Sequence, residues 1–294
     1  MPTQLADVGQ SMAGDFAADG ATVCFVPRYP FVDGMEYSLT VDGIAMAAIL
    51  RPAPDVGTEV TVTAVYPSCA EIPLNLLRLY VHFSAPVREG LAQRTVRLCR
   101  EDTGEPLQGA FLHMEPELWD RDHRRLTVLL DPGRIKRGLV PHEEAGYPLV
   151  EGVPVVLMVG PDAARRYMVG PAVRARVDPA AWGRRVPAAG SVNPLILDFD
   201  RPLDHALLGR CLRVADRAGV RVPGRVSCGP EERSWSFEPV SPWDSEPKLI
   251  VVDTTLEDVA GNSVSRVFDR DLSRGEDDPL EVPEVHHEFA CGSS

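Results

Sequence analysis

Leu79-Tyr-Val-His-Phe-Ser-Ala-Pro-Val87 returns later in the chain as Leu195-Ile-Leu-Asp-Phe-Asp-Arg-Pro-Leu203. The offset is 116, which puts Phe83 on Phe199 and Pro86 on Pro202. The same offset carries Arg94-Thr-Val-Arg-Leu98 onto Arg210-Cys-Leu-Arg-Val214. In the first copy Leu79, Val81 and Phe83 alternate with Tyr80 and His82; in the second, Leu195, Leu197 and Phe199 repeat the pattern. A period of two predicts a strand with one face turned to a core, and self-similarity at a fixed spacing marks a repeated structural unit. Further strands are expected at 126–130 and 235–237. The near-continuous apolar runs at 153–159 and 249–252 suit central strands. Turn residues separate these segments every ~8–12 positions, the spacing of a β-sandwich. Single helical turns are expected at 90–93 and 204–208, while 43–49 fits a short helix and a buried strand equally.

A third, partial copy stands at the front. Phe25-Val-Pro27, Pro30-Phe31 and 37–41 match Phe237-Glu-Pro239, Pro242-Trp243 and 249–253 at an offset of 212, covering only the back half of the unit. The stretches LILDFDRPLD at 195–204, the strand 235–237 with Pro239, and LEDVAGN at 256–262 resemble the bacterial Ig-like modules of S-layer and other cell-surface proteins. In those modules an opening strand ending in Phe-x-x-Pro is followed by a closing Asp-x-Ala-Gly-Asn turn, which Asp258, Ala260, Gly261 and Asn262 match. Gly and Asn tolerate positive φ in such a turn, and an Asp can bond its backbone. The resemblance spans 185–269, extends over 65–160, where that turn is missing, and touches 21–43. It implies a fold and no activity.

The expected architecture is therefore all-β: tandem Ig-like β-sandwiches with an N-terminal partial repeat. Residues 1–63 form the partial unit, expected to pack on the next domain. Residues 64–172 form one sandwich with an inserted loop at 131–152, and 178–270 form another. Residues 269–288 carry eight acids against Arg270 and Arg274, so 271–294 reads as an acidic flexible tail.

Composition narrows the function classes. The 294 residues are 44% hydrophobic and 25% charged, which excludes wholesale disorder. The net charge of −13 argues against nucleic acid or an anionic membrane as partner. Apolar runs fall far short of the ~20 residues of a membrane-spanning helix. Six cysteines lack C-x-x-C or zinc-finger spacing and read as reduced, packed thiols. The first twenty residues show no export-signal pattern, so the chain as written reads as cytoplasmic, or as a cell-surface or secreted protein if a leader was removed.

The candidate site is the segment that breaks the repeat. Twenty-two residues, 131–152, stand where the second unit has eleven. Long loops on a rigid sandwich often carry function. A solvated connection is one reading. A recognition loop is another, with Arg134, Lys136, Arg137 and Tyr147 addressing a carboxylate or phosphate. A catalytic site would use His142 as general base, Arg134 as anion anchor and Glu143 or Glu144 as the orienting carboxylate. A divalent metal would draw on His82, His113 and His142, with Glu115 near His113. No nucleophile elbow, Walker loop or dinucleotide fingerprint is present. The sequence thus favours a non-catalytic binding or scaffold protein without a cofactor, its partner an unknown protein or a small anionic ligand. The alternative is an enzyme acting on a small anionic substrate at 131–152.

Overall fold

The computed structural model describes residues 12–20, 22–32, 35–41, 44–52, 60–88, 90, 95–161, 163–271, 275 and 279–292. The chain divides into two units, Met1–Glu59 and Val60–Ser294. In the first, β1 (Gly14–Asp19) and β2 (Thr22–Pro27) form one antiparallel hairpin, and β3 (Glu36–Val41) and β4 (Ile44–Leu50) form another. Of the segment 43–49, read as a short helix or a buried strand, residues 44–49 lie in the strand β4, which is exposed along its length; residue 43 lies outside the described residues.

The second unit holds two sandwiches. The first pairs a sheet of β5 (Val62–Tyr66), β7 (Arg78–Phe83), β10 (Arg125–Leu129) and β9 (Leu118–Trp119), in that order, with a second sheet. That sheet is ordered β6 (Glu71–Pro73), β12 (Ala163–Gly170), β11 (Pro154–Val159) and β8 (Val96–Arg100). Lettered A to G along the chain, these are A-B-E-D over A′-G-F-C, with A′ parallel to G, which is an immunoglobulin-type arrangement. Leu79, Val81, Leu126, Val155 and Leu157 fill the core. Tyr80, expected on the outer face, is also only 5% exposed. The outer side of β7 meets the second sandwich, which buries Tyr80 and partly covers Arg78 and His82.

The second sandwich repeats the plan. β13 (Gly183–Arg185), β14 (Leu195–Asp198), β17 (Ser234–Pro239) and β16 (Gly224–Cys228) form A-B-E-D. β15 (Leu212–Asp216), β18 (Lys248–Asp253) and β19 (Glu284–Phe289) form C-F-G. The 116-residue offset places β14 on β7 and β15 on β8. Phe83 and Phe199 are both buried, each against a tryptophan ring, Trp119 at 5.7 Å and Trp182 at 4.7 Å. The helical turn at 204–208 is the helix His205–Cys211, capped by Asp204; the turn expected at 90–93 lies mostly outside the described residues. All six cysteines are free, three of them buried.

The reading of 271–294 as a flexible tail is corrected. Glu284–Phe289 pairs along all of β18, from Lys248↔Phe289 to Asp253↔Glu284, and supplies the last strand of the sandwich. Its inward residues, Val285 and Phe289, join the core, while its acids lie on the other face. The second sandwich therefore runs past residue 270.

Candidate functional site

Loop 131–152 folds into two short helices, α1 (Pro132–Ile135) and α2 (Val140–Ala145), anchored by buried Ile135 and Leu149. Asp131 caps α1 through the Gly133 amide at 2.8 Å. The Arg134 guanidinium donates to five carbonyls: Gln108, Gly109, Ala145, Gly146 and Tyr147, at 3.0–3.2 Å. Its planar fork suits that bracing role, and it is spent on backbone rather than held open for an anion. Nδ1 of His142 lies 2.6 Å from the Arg134 carbonyl oxygen, and its ring meets Tyr147 edge-on. Glu143 and Glu144 are exposed.

The other cations of the loop reach out of it. Arg137 donates to Asp269 from its amide at 3.1 Å and its Nε at 2.6 Å, and Lys136 sits 4.5 Å above the Phe268 ring. Arg174 also pairs with Asp269, at 3.4 Å, and donates to the Tyr147 hydroxyl. The structure thus brings Arg137, Lys136, Tyr147 and Arg134 near one another as braces between the loop, the linker and the segment after 262.

The expected metal set does not assemble. His82 lies at the junction of the sandwiches, whereas His113 is 70% exposed beside Glu115, and His142 faces the loop backbone. Among the described residues no group of three His, Cys, Asp or Glu is arranged to hold a metal ion.

The dense polar chemistry lies instead in the seam between the sandwiches. The Tyr80 hydroxyl donates to Asp204, 2.7 Å from Oδ2, and Asp204 also caps its helix through the Leu207 amide at 3.0 Å. Arg78 pairs with Asp204 at 3.5 Å and with Glu257. Ser68 donates to Glu232 from both its amide and its hydroxyl, each at 2.7 Å. Burial raises the Glu232 carboxyl above the usual carboxylate range. Glu231 and Glu232 both hold left-handed backbone, φ 57° and 53°, a strain of about 1–3 kcal/mol each that surrounding contacts must sustain. Tyr66 stacks on His205 at 3.4 Å, with the His82 ring 5.9 Å away.

The turn at 256–262 belongs to this seam. Oδ1 of Asp258 accepts from the amides of Ala260 and Asn262, at 3.0 and 2.9 Å, as the sequence implied. The turn is buried. The Leu77 amide donates to the Val259 carbonyl at 3.0 Å, and Gly261 lies against Leu77. The Asn75 and Asn262 side-chain amides both donate to the Val173 carbonyl, at 2.8 and 3.0 Å, so each sandwich grips the linker.

A concave hollow of about 590 Å³ lies at one end of the second sandwich, between the C–D and E–F connections. Val220, Pro239 and Trp243 line it together with the charged Arg217, Arg221 and Asp244. Sequence reasoning passed over it. Prolines 239, 242 and 247, close together in one connection, were the available signal.

These features define a tandem pair of Ig-like sandwiches joined by a polar seam. No family model matches the sequence, and no curated protein matches it significantly. Among solved structures, a chimeric titin Z1Z2 functionalized with an exogenous decorin peptide is 8% identical, with a TM-score of 0.27 over 80% of this chain and 96% of that one. The titin domains Z1Z2 in complex with telethonin are 8% identical, with a TM-score of 0.24 over the same shares. A mouse coronavirus receptor-binding domain complexed with its murine receptor is 10% identical, with a TM-score of 0.18 over 66% and 92%. At such scores the likenesses carry no argument, and the Ig-like assignment rests on strand order and register. No helix among the described residues is long and apolar enough to cross a membrane.

Proposed function

We propose that this chain is a non-catalytic binding or scaffold protein of the bacterial Ig-like, cell-surface kind, in which two sandwiches act as one rigid body. One observation carries the reading: the loop cations that looked like an anion site, and the buried acids of the seam, are spent on structural contacts. Arg134, Arg137 and Tyr147 brace the loop, and Tyr80, Asp204, Glu232 and Glu257 join the sandwiches. The match of 256–262 to the closing turn of the cell-surface modules supports the finer placement. The hollow beside Trp243 and Val240, where apolar residues alternate with charges of both signs such as Arg221, Asp244 and Glu246, is the surface suited to a segment of a protein partner.

Scanning calorimetry of the full chain, together with turnover assays on carboxylate and phosphate esters, tests this. The two sandwiches should melt in one transition, and neither His142→Ala nor Arg134→Ala should alter any turnover. Two separate transitions would defeat the rigid-body reading. A turnover abolished by His142→Ala in a folded protein would defeat the non-catalytic one.

A further inference from the structure

The described residues of the first unit form four strands, and none of these residues is buried. Each hairpin nevertheless has an apolar face. In β1–β2 the paired positions Phe16↔Phe25 and Ala18↔Val23 share one face, yet Phe16 and Val23 are 69% and 68% exposed. In β3–β4 the pairs Tyr37↔Ile49 and Leu39↔Ala47 do the same.

The second sandwich shows what these hairpins are. β2 corresponds to β17 and β3 to β18, Thr22 falling on Ser234 and Glu36 on Lys248. Gly14↔Pro27 and Phe16↔Phe25 repeat the register Gly224↔Pro239 and Val226↔Phe237. One local detail is duplicated. A Cβ on Gly14 would lie 2.5 Å from the Phe25 ring and from the Val26 carbonyl oxygen; on Gly224 it would lie 2.2 Å from the Phe237 ring and 2.6 Å from the Glu238 oxygen. The β3–β4 pair Glu36↔Leu50 likewise repeats Lys248↔Phe289. Strands β1 to β4 are therefore D, E, F and G.

In the second sandwich, strand E is flanked by B and strand F by C, both antiparallel. Among the described residues, their counterparts β2 and β3 lie in two-stranded sheets, each with one edge unpaired. Natural edges are guarded by charge, and edge strand β13 carries two arginines. β2 has no charged residue, and β3 has only Glu36 at its end. A two-fold axis normal to a sheet sets a strand antiparallel to its own copy, the orientation that B and C require.

We propose that residues 12–52 are the D-E-F-G half of a third Ig-like sandwich that a second copy of this chain completes. β2 pairs with its copy where B would stand and β3 with its copy where C would stand, giving an eight-stranded sandwich of β1-β2-β2-β1 over β4-β3-β3-β4. The interface is isologous and closed. It buries the two apolar faces and removes both open edges. Cys24, exposed near the middle of β2, comes close to its own copy.

The test is sedimentation of the full chain together with a short bis-maleimide cross-link. The expected mass is twice that of one chain at micromolar concentration, falling to one chain in the double variant Phe25→Asp, Leu39→Asp, whose main thermal transition is unchanged. Cross-linking should join two chains and be abolished by Cys24→Ser, a readout that does not depend on how the aspartates fold. A monomer at all concentrations, as when strands from another polypeptide cover this face, overturns the proposal. So does a dimer whose cross-link survives Cys24→Ser.

Discussion

The Tyr80 hydroxyl stands 2.7 Å from Oδ2 and 3.0 Å from Oδ1 of Asp204, a buried bond between residues of different sandwiches. Both groups lie where water is excluded, and burial raises the Tyr80 hydroxyl well above its ordinary range, so it donates as a neutral phenol. Tyr80→Phe leaves the ring in place and removes only the donor. The expected cost is about 1–2 kcal/mol, read by urea denaturation. Asp204→Ala also removes a helix cap and leaves Arg78 with Glu257 alone, and should cost about 3 kcal/mol or more. Equal losses for the two variants would show that the carboxylate has no role beyond Tyr80.

Gly261 separates backbone demand from contact. Its φ is 82° and an added Cβ would lie 2.4 Å from Leu77 Cδ2, whereas Gly219, with φ 83°, has open space there. Gly219→Ala should therefore cost about 1 kcal/mol from conformation alone. Gly261→Ala should cost about 3 kcal/mol, because it also wedges the turn away from the first sandwich. Thermal melts of the two variants give the comparison.

Arg134 braces the inserted loop through a fork that lysine cannot copy. Arg134→Ala and Arg134→Lys are both expected to expose the backbone around Gly109 and 145–147 to faster amide exchange, with a loss of about 2 kcal/mol. Full protection retained in the lysine variant would contradict the bracing role.

Acid weakens the seam through His205. Burial, with His82 and Arg125 nearby, holds its imidazole down to about 4. The unfolded chain binds that proton near the ordinary 6.5, so this contribution is whole above 6.5 and is lost as pH falls towards 4. Asp258 opposes it. Burial raises its carboxyl to about 6, giving a contribution that is whole below 3.8 and is lost as pH rises through 6. His205→Phe keeps the stack on Tyr66 and removes only the first effect. Discounted for partial exposure, the variant should lose about 1–2 kcal/mol less than the parent between pH 6.5 and 4.5. Identical acid losses in urea titrations would exclude His205 as the cause.

The strands were legible because local pattern governs them. Alternation at 79–83 and 195–199, with turn residues between segments, marks a pleated, half-buried surface wherever it occurs. The seam was not legible. Tyr80 and Asp204 are distant in sequence, and no periodicity tells a tyrosine that its outward face meets another domain. Arg134, Lys136 and Arg137 looked like an anion site because charge in a long loop is normally solvated; here backbone carbonyls, Phe268 and Asp269 absorb it. β19 was hidden by its own acids. Val285, His287 and Phe289 alternate as a strand should, but Glu284 and Glu288 gave the segment the composition of a tail.

That late strand governs the order in which the molecule can be made. The first sandwich has all its strands once Gly170 has left the ribosome, whereas the second lacks its final strand until Phe289 has emerged. Throughout that interval the outer edge of 248–253 is bare, and the nascent chain is exposed to mispairing with its neighbours on the polysome. A translational stall within 254–283 would release a half-built domain, the species that chaperones and proteases would meet first.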